Sequence, residues 1–406
     1  ENVAVGNAAM ANATSASGNV AVGDNAGGGG TNTADNNVWI GNNAGYATTS
    51  GASNVLIGYA SGDAVTTGHS VVFVGYDSGT AFTTGNAATG IGYRALASNT
   101  TGNANTAVGY DAGLAVTTGT HNAMFGVQAG DATTTGVGNT FIGAEAGGAT
   151  TTAGSNVAVG YQALDANTTG AGNTSIGASS LGVSTTASNN TAVGYAAADA
   201  LTTAANTVAV GHAALSAVTT GSQNVATGLA AGLSITTGNN NTCFGNYAGQ
   251  AITTGSYNVC LGNDEGSTRT TGSYNISVGN NNDHSATDCT HEIIIGANNA
   301  TGKGNSTAFI APGSGAVYAG NNSADFATTS DRRIKKNIVD NNIGLEKINQ
   351  IQVRNFEYRT SDEIDELPKD SAIDSEGVQL GGIAQEVQTF LPEIINEETT
   401  GCLSVD

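Results

Sequence analysis

Charge, proline, aromatic rings and sulfur are all scarce in this chain. Charged residues fill only 11% of the 406 positions and aromatics 5%, with three prolines and four cysteines. So few large apolar side chains exclude a thick globular core, and burial has to come from small residues packed in a shallow, regular way. Basic residues are rarest: 11 Lys and Arg stand against 32 Asp and Glu, a net charge of -21. That charge repels nucleic-acid phosphates and anionic lipid, so no nucleic-acid partner is expected. No run of about 18 apolar residues occurs, so no membrane insertion is expected either. The chain opens at Glu1-Asn2-Val3, already inside a repeat, which reads as a piece of something longer. Cys243, Cys260, Cys289 and Cys402 show no CxxC and no metal-ligand spacing, and no cofactor is expected. Cys243 and Cys260 lie one repeat apart and read as small buried side chains.

What is abundant is glycine, at 59 residues, and it is placed periodically. Short apolar motifs such as Val3-Ala4-Val5-Gly6 and Val55-Leu56-Ile57-Gly58 recur eighteen times up to Gly296, at intervals of 17 residues save one step of 18 from Gly23 to Gly41. So fixed a period predicts stacked coils, an all-β parallel solenoid or β-roll with 17-residue turns over residues 1–297. The positions one and three before the glycine, such as Thr106 and Val108, share one face of a short strand. The position between them faces the other way; it is often Ala, as at Ala107, but is Trp39, Phe73 and Phe141 on other coils. A rod this thin is a poor monomer, and that middle-position face is the one expected to pack against identical chains. Asparagine stands four before the glycine in fourteen of the eighteen copies, which predicts a column of amides bonded along the stack. At about 4.8 Å per coil, the stack would run on the order of 85 Å.

Other signals along the repeat are weak. The Thr-Thr pairs, as at Thr117-Thr118-Gly119, read as turn and strand chemistry rather than an ice-binding face. Asp24, Asp77, Asp111 and Asp131 do not share one phase of the repeat, and His69, His121, His212, His284 and His291 are scattered. Neither set forms a recognisable ion or catalytic constellation. Residues 298–330 read as a connector holding a short strand, Ala316 to Ala319.

The repeat resembles the head repeats of trimeric autotransporter adhesins and, more closely, the Asn-Thr-Ala-Val-Gly-Tyr repeats of phage tail fibres, as at Asn105 to Tyr110 and Asn190 to Tyr195. After Ser330 the character changes: only Arg94, Arg269 and Lys303 are basic before it, whereas eight basic residues follow. Helix-like patterns at Ile343 to Ile348 and Ile383 to Phe390, and a strand-like run from Val353 to Tyr358, predict a small α+β domain over 331–406. Ser330, Asp331, Arg333, Lys335 and Ile338, then Gly382 to Val387, Leu391-Pro392-Glu393 and Leu403 to Asp406, are similar to the C-terminal intramolecular chaperone autoproteases of phage tailspikes and fibres. Gln379 and Gly382 depart from the His and Phe common in that family, and the sequence stops where the family usually continues into a long C-terminal helix.

The resemblance implies a homotrimeric virion fibre or tailspike shaft that joins other tail proteins and binds a host cell-surface receptor. It also implies a single self-cleavage between Ser330 and Asp331, with Ser330 as nucleophile and Lys335 as base. Attack by Ser330 on its own carbonyl closes a four-membered ring, so the Asp331 carboxylate and a neighbouring chain stay open as the attacker. The other reading of the seam is a capped helix start followed by a solvated basic face. A bacterial trimeric surface adhesin is the alternative class.

Overall fold

The computed structural model describes residues 1–311, 317–319, 326–327, 344–359, 363, 377–397 and 403–405. The chain divides into two compact units, Glu1–Thr329 and Ser330–Asp406. The first is a parallel β-solenoid with one short strand per coil, numbered in chain order from β1 (Val3–Val5) to β18 (Ile293–Gly296). Each strand pairs in parallel with the next coil's strand in strict register, as Thr106↔Ala123, Ala107↔Met124 and Val108↔Phe125 show. A further strand, β19 (Ala308–Ala311), stacks parallel on β18 after a shorter turn. Antiparallel β20 (Val317–Ala319) and β21 (Phe326–Ala327) follow it.

The coil is inside-out relative to the sequence expectation. From β2 to β18 the middle residue of the strand is buried inside the coil, and Trp39, Phe73, Phe141 and Ala107 are all fully buried within the single chain. They form its core and are not a face for other chains. The reason is volume complementation across the coil. Where the middle residue is large, the residue four after the column glycine is itself glycine, and a methyl there would lie 2.2 Å from Trp39 at Gly45, 2.5 Å from Phe73 at Gly79 and 2.6 Å from Phe141 at Gly147. Where the middle residue is small, as at Gly90, Ala158, Ser175 and Ala209, that place is taken by buried Leu96, Leu164, Leu181 and Leu215. On these coils a large residue at one place is matched by a small one at the other, as dense packing requires, whereas coils such as those of Ala21 with Gly27, Ala107 with Gly113 and Ala226 with Gly232 carry small residues at both places. The flanking strand positions, Val, Ile and Thr, point outward instead.

Two polar ladders run along the stack. Asn122 Nδ2 donates to Asn105 Oδ1 at 3.1 Å and to the Gly136 carbonyl at 2.9 Å, while Asn122 Oδ1 accepts from Asn139 N–H at 2.9 Å. These amides are buried, so each bond replaces water for a turn that has none, a net gain of about 1 kcal/mol per bond. The column passes through Val71, Ala88 and Thr207 without losing register; Val71 N–H still donates to Asn54 Oδ1 at 3.0 Å. The second ladder is threonine: the hydroxyl of Thr117 donates to the Thr134 carbonyl at 3.2 Å, and Thr134 to Thr151 at 3.1 Å. These hydroxyls are spent inside the stack, which fits turn chemistry.

The second unit is small and mixed. Helices α1 (Gly344–Ile348) and α2 (Ala384–Gln388) accompany two antiparallel pairs, β22 (Arg354–Phe356) with β23 (Gln379–Gly381) and β24 (Ile395–Glu397) with β25 (Leu403–Val405). Arg354 on β22 holds Glu386 on α2 through two bonds of 3.0 and 3.1 Å, a fork geometry that fixes strand against helix. Among the described residues no helix is long and apolar enough to cross a membrane.

Candidate functional surfaces and the processing segment

The outward strand residues form two columns, one and three positions before the glycine, from Val3 and Val5 to Ile293 and Ile295. All thirty-six positions are Val, Ile, Thr, Ala, Phe or Leu, in a chain of net charge -21. Many are well exposed, including Val5, Ile91, Phe125, Ile142, Ile176, Phe244 and Ile295. Eighteen strands about 4.8 Å apart and about 10 Å wide present on the order of 800 Å², beyond the few hundred that lone soluble chains usually leave bare. An area of that size is also what one partner contributes to an ordinary stable interface.

Exposed tyrosines form a second feature. Tyr59, Tyr76, Tyr93 and Tyr110 stack with ring centroids 5.0, 5.4 and 5.0 Å apart and planes within 12°. Each ring covers its neighbour's face, so edges and hydroxyls meet solvent, and the flat faces on which a sugar ring would lie are closed except at the ends. Arg94 sits 5.2 Å over Tyr93 and is held by Asp111 through bonds of 2.9 and 2.5 Å. The ladder stabilises coil stacking.

A phase of aspartates does exist, five positions after the column glycine: Asp131, Asp165 and Asp199, on alternate coils with Gly148 and Gly182 between. Sequence reading took Asp131 together with Asp24, Asp77 and Asp111 of other phases and missed it. Asp165 and Asp199 line a cleft of about 210 Å³ with Gln162, Ser179, Gly182 and Val183. Burial raises the carboxyl pKa of all three above the ordinary value, and repulsion from Asp165 adds to it at Asp131, as does Glu145 at Asp165. Asp199 Oδ1 is buried without a hydrogen-bond partner. A carboxyl whose folded pKa is raised is favourable to the fold only while protonated, and the advantage is lost as pH rises through the folded value. Asp165→Asn is therefore expected to raise the unfolding free energy at pH 7, by up to about 1 kcal/mol because the group is half solvated. The gain should vanish as the pH falls below about 4; an equal gain at both pH values would assign it to packing instead of charge.

The interior changes character at the last coils. The inward column of Val218, Ile235 and Ile252 continues as Arg269, and the asparagine column ends on Glu292. Arg269 is fully buried, donates to Cys260 Sγ at 2.9 Å and contacts His284 Nε2. Cys243 and Cys260 are register partners on adjacent strands, both free and buried. The bond from the Cys243 thiol, with the Arg269 guanidinium beside it, brings Cys260 down to about 7 against the effect of burial. Glu265, buried nearby, bonds Ser277 and Asn282.

Ser330, Asp331 and Lys335, the residues expected to carry processing, lie outside the described residues. Comparison with known proteins bears on that segment. Residues 330–396 match the family model described as chaperone of endosialidase. The match begins at the residue where the second compact unit begins. No curated protein and no solved structure matches the chain.

Proposed function

We propose that this chain is the shaft of a phage tail fibre or tailspike, assembled as a homotrimer and made with a C-terminal intramolecular chaperone that cuts itself off once, between Ser330 and Asp331. The observation that carries this reading is the match of residues 330–396 to the chaperone of endosialidase family on the C-terminal side of an eighteen-coil repeat. A chaperone encoded in cis suits a rod whose long strand face must meet identical chains in register before it meets anything else. The uncharged strand face supports self-association, and the adhesin reading leaves residues 330–396 without a role. The finished shaft sits in the virion and contacts a host cell-surface receptor.

In the cleavage, the Ser330–Asp331 peptide bond breaks and water is added, leaving a carboxyl on Ser330 and an amine on Asp331. Lys335 takes the proton from the attacking group, and it needs a depressed pKa to do so at neutral pH. Arg332, Arg333 and Lys336 adjoin it in sequence, and like charges held close to an ammonium group lower its pKa. Once the assembly unit is gone, the shaft has no encoded route back, so its persistence becomes kinetic.

The test is the intact mass of the expressed chain and of Ser330→Ala. Two fragments from the parent, cut between Ser330 and Asp331, and one uncut chain of about 39.9 kDa from the variant are expected. Asp331→Asn separates the two candidate attackers, because loss of cutting there with cutting retained in Ser330→Ala assigns the carboxylate. Identical, uncut products from all three would sink the processing step.

A further inference from the structure

One group of side chains is left without a role by the shaft reading. His284, Cys289 and Glu292 are each almost fully buried, at 3%, 2% and 0% exposure. One nitrogen, one sulfur and one carboxylate oxygen from them all lie within 4.8 Å of one another. Spaced His-x4-Cys-x2-Glu, they belong to no zinc-ribbon or finger pattern, which is why the sequence alone does not bring them together.

The geometry is built around Glu292. Its Oε1 accepts from the Gly304 N–H at 2.7 Å and its Oε2 from the Ser285 N–H at 3.1 Å, so backbone on both sides fixes the carboxylate. His284 Nδ1 lies 2.9 Å from the same Oε2. The Cys289 thiol bonds the same carboxylate, and the Cys289 carbonyl is tied to the last asparagine of the column, Asn275, at 2.8 Å. Glu292 stands in the asparagine column, and Cys289 in a phase that holds Gly or Ala on earlier coils, as at Gly272 and Ala204. A bare end plug needs polar groups, but it does not need a thiol, an imidazole and a carboxylate aimed at one point.

We propose that His284, Cys289 and Glu292 form a site for a divalent transition-metal ion of the zinc class, which pins together the last coils of the shaft. A nitrogen, a thiolate and a carboxylate suit zinc and exclude magnesium and calcium, which require oxygen throughout. Three protein ligands leave a fourth position for water. The exchange balances without redox chemistry. The ion displaces the Cys289 thiol proton to solvent, and the His284 proton moves from Nδ1 to Nε2 as Nδ1 takes up the metal. Arg269 Nη1 then turns away from Nε2 while its other nitrogen keeps Cys260 Sγ. Burial means that the ion enters as the coils close, so it has to be present during folding.

The test uses the full chain folded in the presence of Co²⁺ as the spectroscopic probe, followed by gel filtration and metal analysis. One cobalt per chain and a thiolate-to-cobalt charge-transfer band are expected. Cys289→Ser should remove the band and weaken retention at least tenfold, whereas Cys260→Ser, whose thiol serves Arg269, should keep both. No retained cobalt in the folded parent chain overturns the site and leaves a hydrogen-bonded end plug. A band that survives Cys289→Ser, or that disappears with Cys260→Ser, overturns the ligand set. Should Cys289→Ser fail to fold, the parent spectrum with and without cobalt and the Cys260→Ser spectrum still decide.

Discussion

Replacing Ile142 and Ile176 together by lysine is expected to turn the assembled shaft into single, folded chains. Both side chains occupy the outward strand column, at 41% and 39% exposure, so lysine reaches solvent in a lone chain and leaves the coil interior intact. At an interface along that face the same two ammonium groups lose water with no acidic partner, because the column holds no charged residue. An unpaired buried charge costs several kcal/mol, and the cost recurs in every chain of the assembly. Sedimentation equilibrium reads the outcome. Thr152→Lys, an exposed turn position off the strand face, should leave the assembly mass unchanged. Retention of the parent mass by the double variant would show that chains meet elsewhere.

Gly109→Ala should unfold the coils around it, with a loss above about 4 kcal/mol. Gly109 holds φ at +146°, a region that an L side chain resists, and its missing methyl would lie 2.2 Å from the Gly126 carbonyl oxygen. That oxygen belongs to the equivalent glycine of the next coil, so relief of the clash has to spread along the stack. Gly138→Ala is the matched comparison: φ is +70° and nothing lies within 4 Å of the added carbon, so only the left-handed backbone preference is lost, about 1 kcal/mol. Hydrogen exchange across Thr106 to Phe125 should collapse in the first variant and stay near parent levels in the second. Equal protection in both would mean that the column glycines are not close-packed.

Much of this architecture is legible in the residues. The period of 17, the amide column and the corner glycines are all local patterns with one physical solution, and the strands and ladders stand where they place them. The direction of the strand faces is harder to read. Val-Ala-Val is symmetric to an alternation argument, and the larger residues invite the reading that they face the core. The deciding signal is non-local within the coil: glycine four after the column position opposite Trp39, Phe73 and Phe141, and leucine there opposite Gly90, Ala158 and Ala209. Strand β19 escapes because its register partner is 15 residues away, as in Gly296↔Ala311, off the period being followed. The buried group at His284, Cys289 and Glu292 escapes for a related reason, since its members are joined by the closing of an atypical turn and by no spacing rule. The processing residues are the reverse case: Ser330, Asp331 and Lys335 are named by motif alone and lie outside the described residues.

The central claim is that a solenoid with an uncharged outer strand face is one strand of a three-chain shaft. The most direct measurement is the mass of the parent assembly in solution, by sedimentation equilibrium or native mass spectrometry, on material whose C-terminal state has been read by intact mass. Three chains per particle, stable to dilution, is the predicted result; a particle of one chain at micromolar concentration would contradict it.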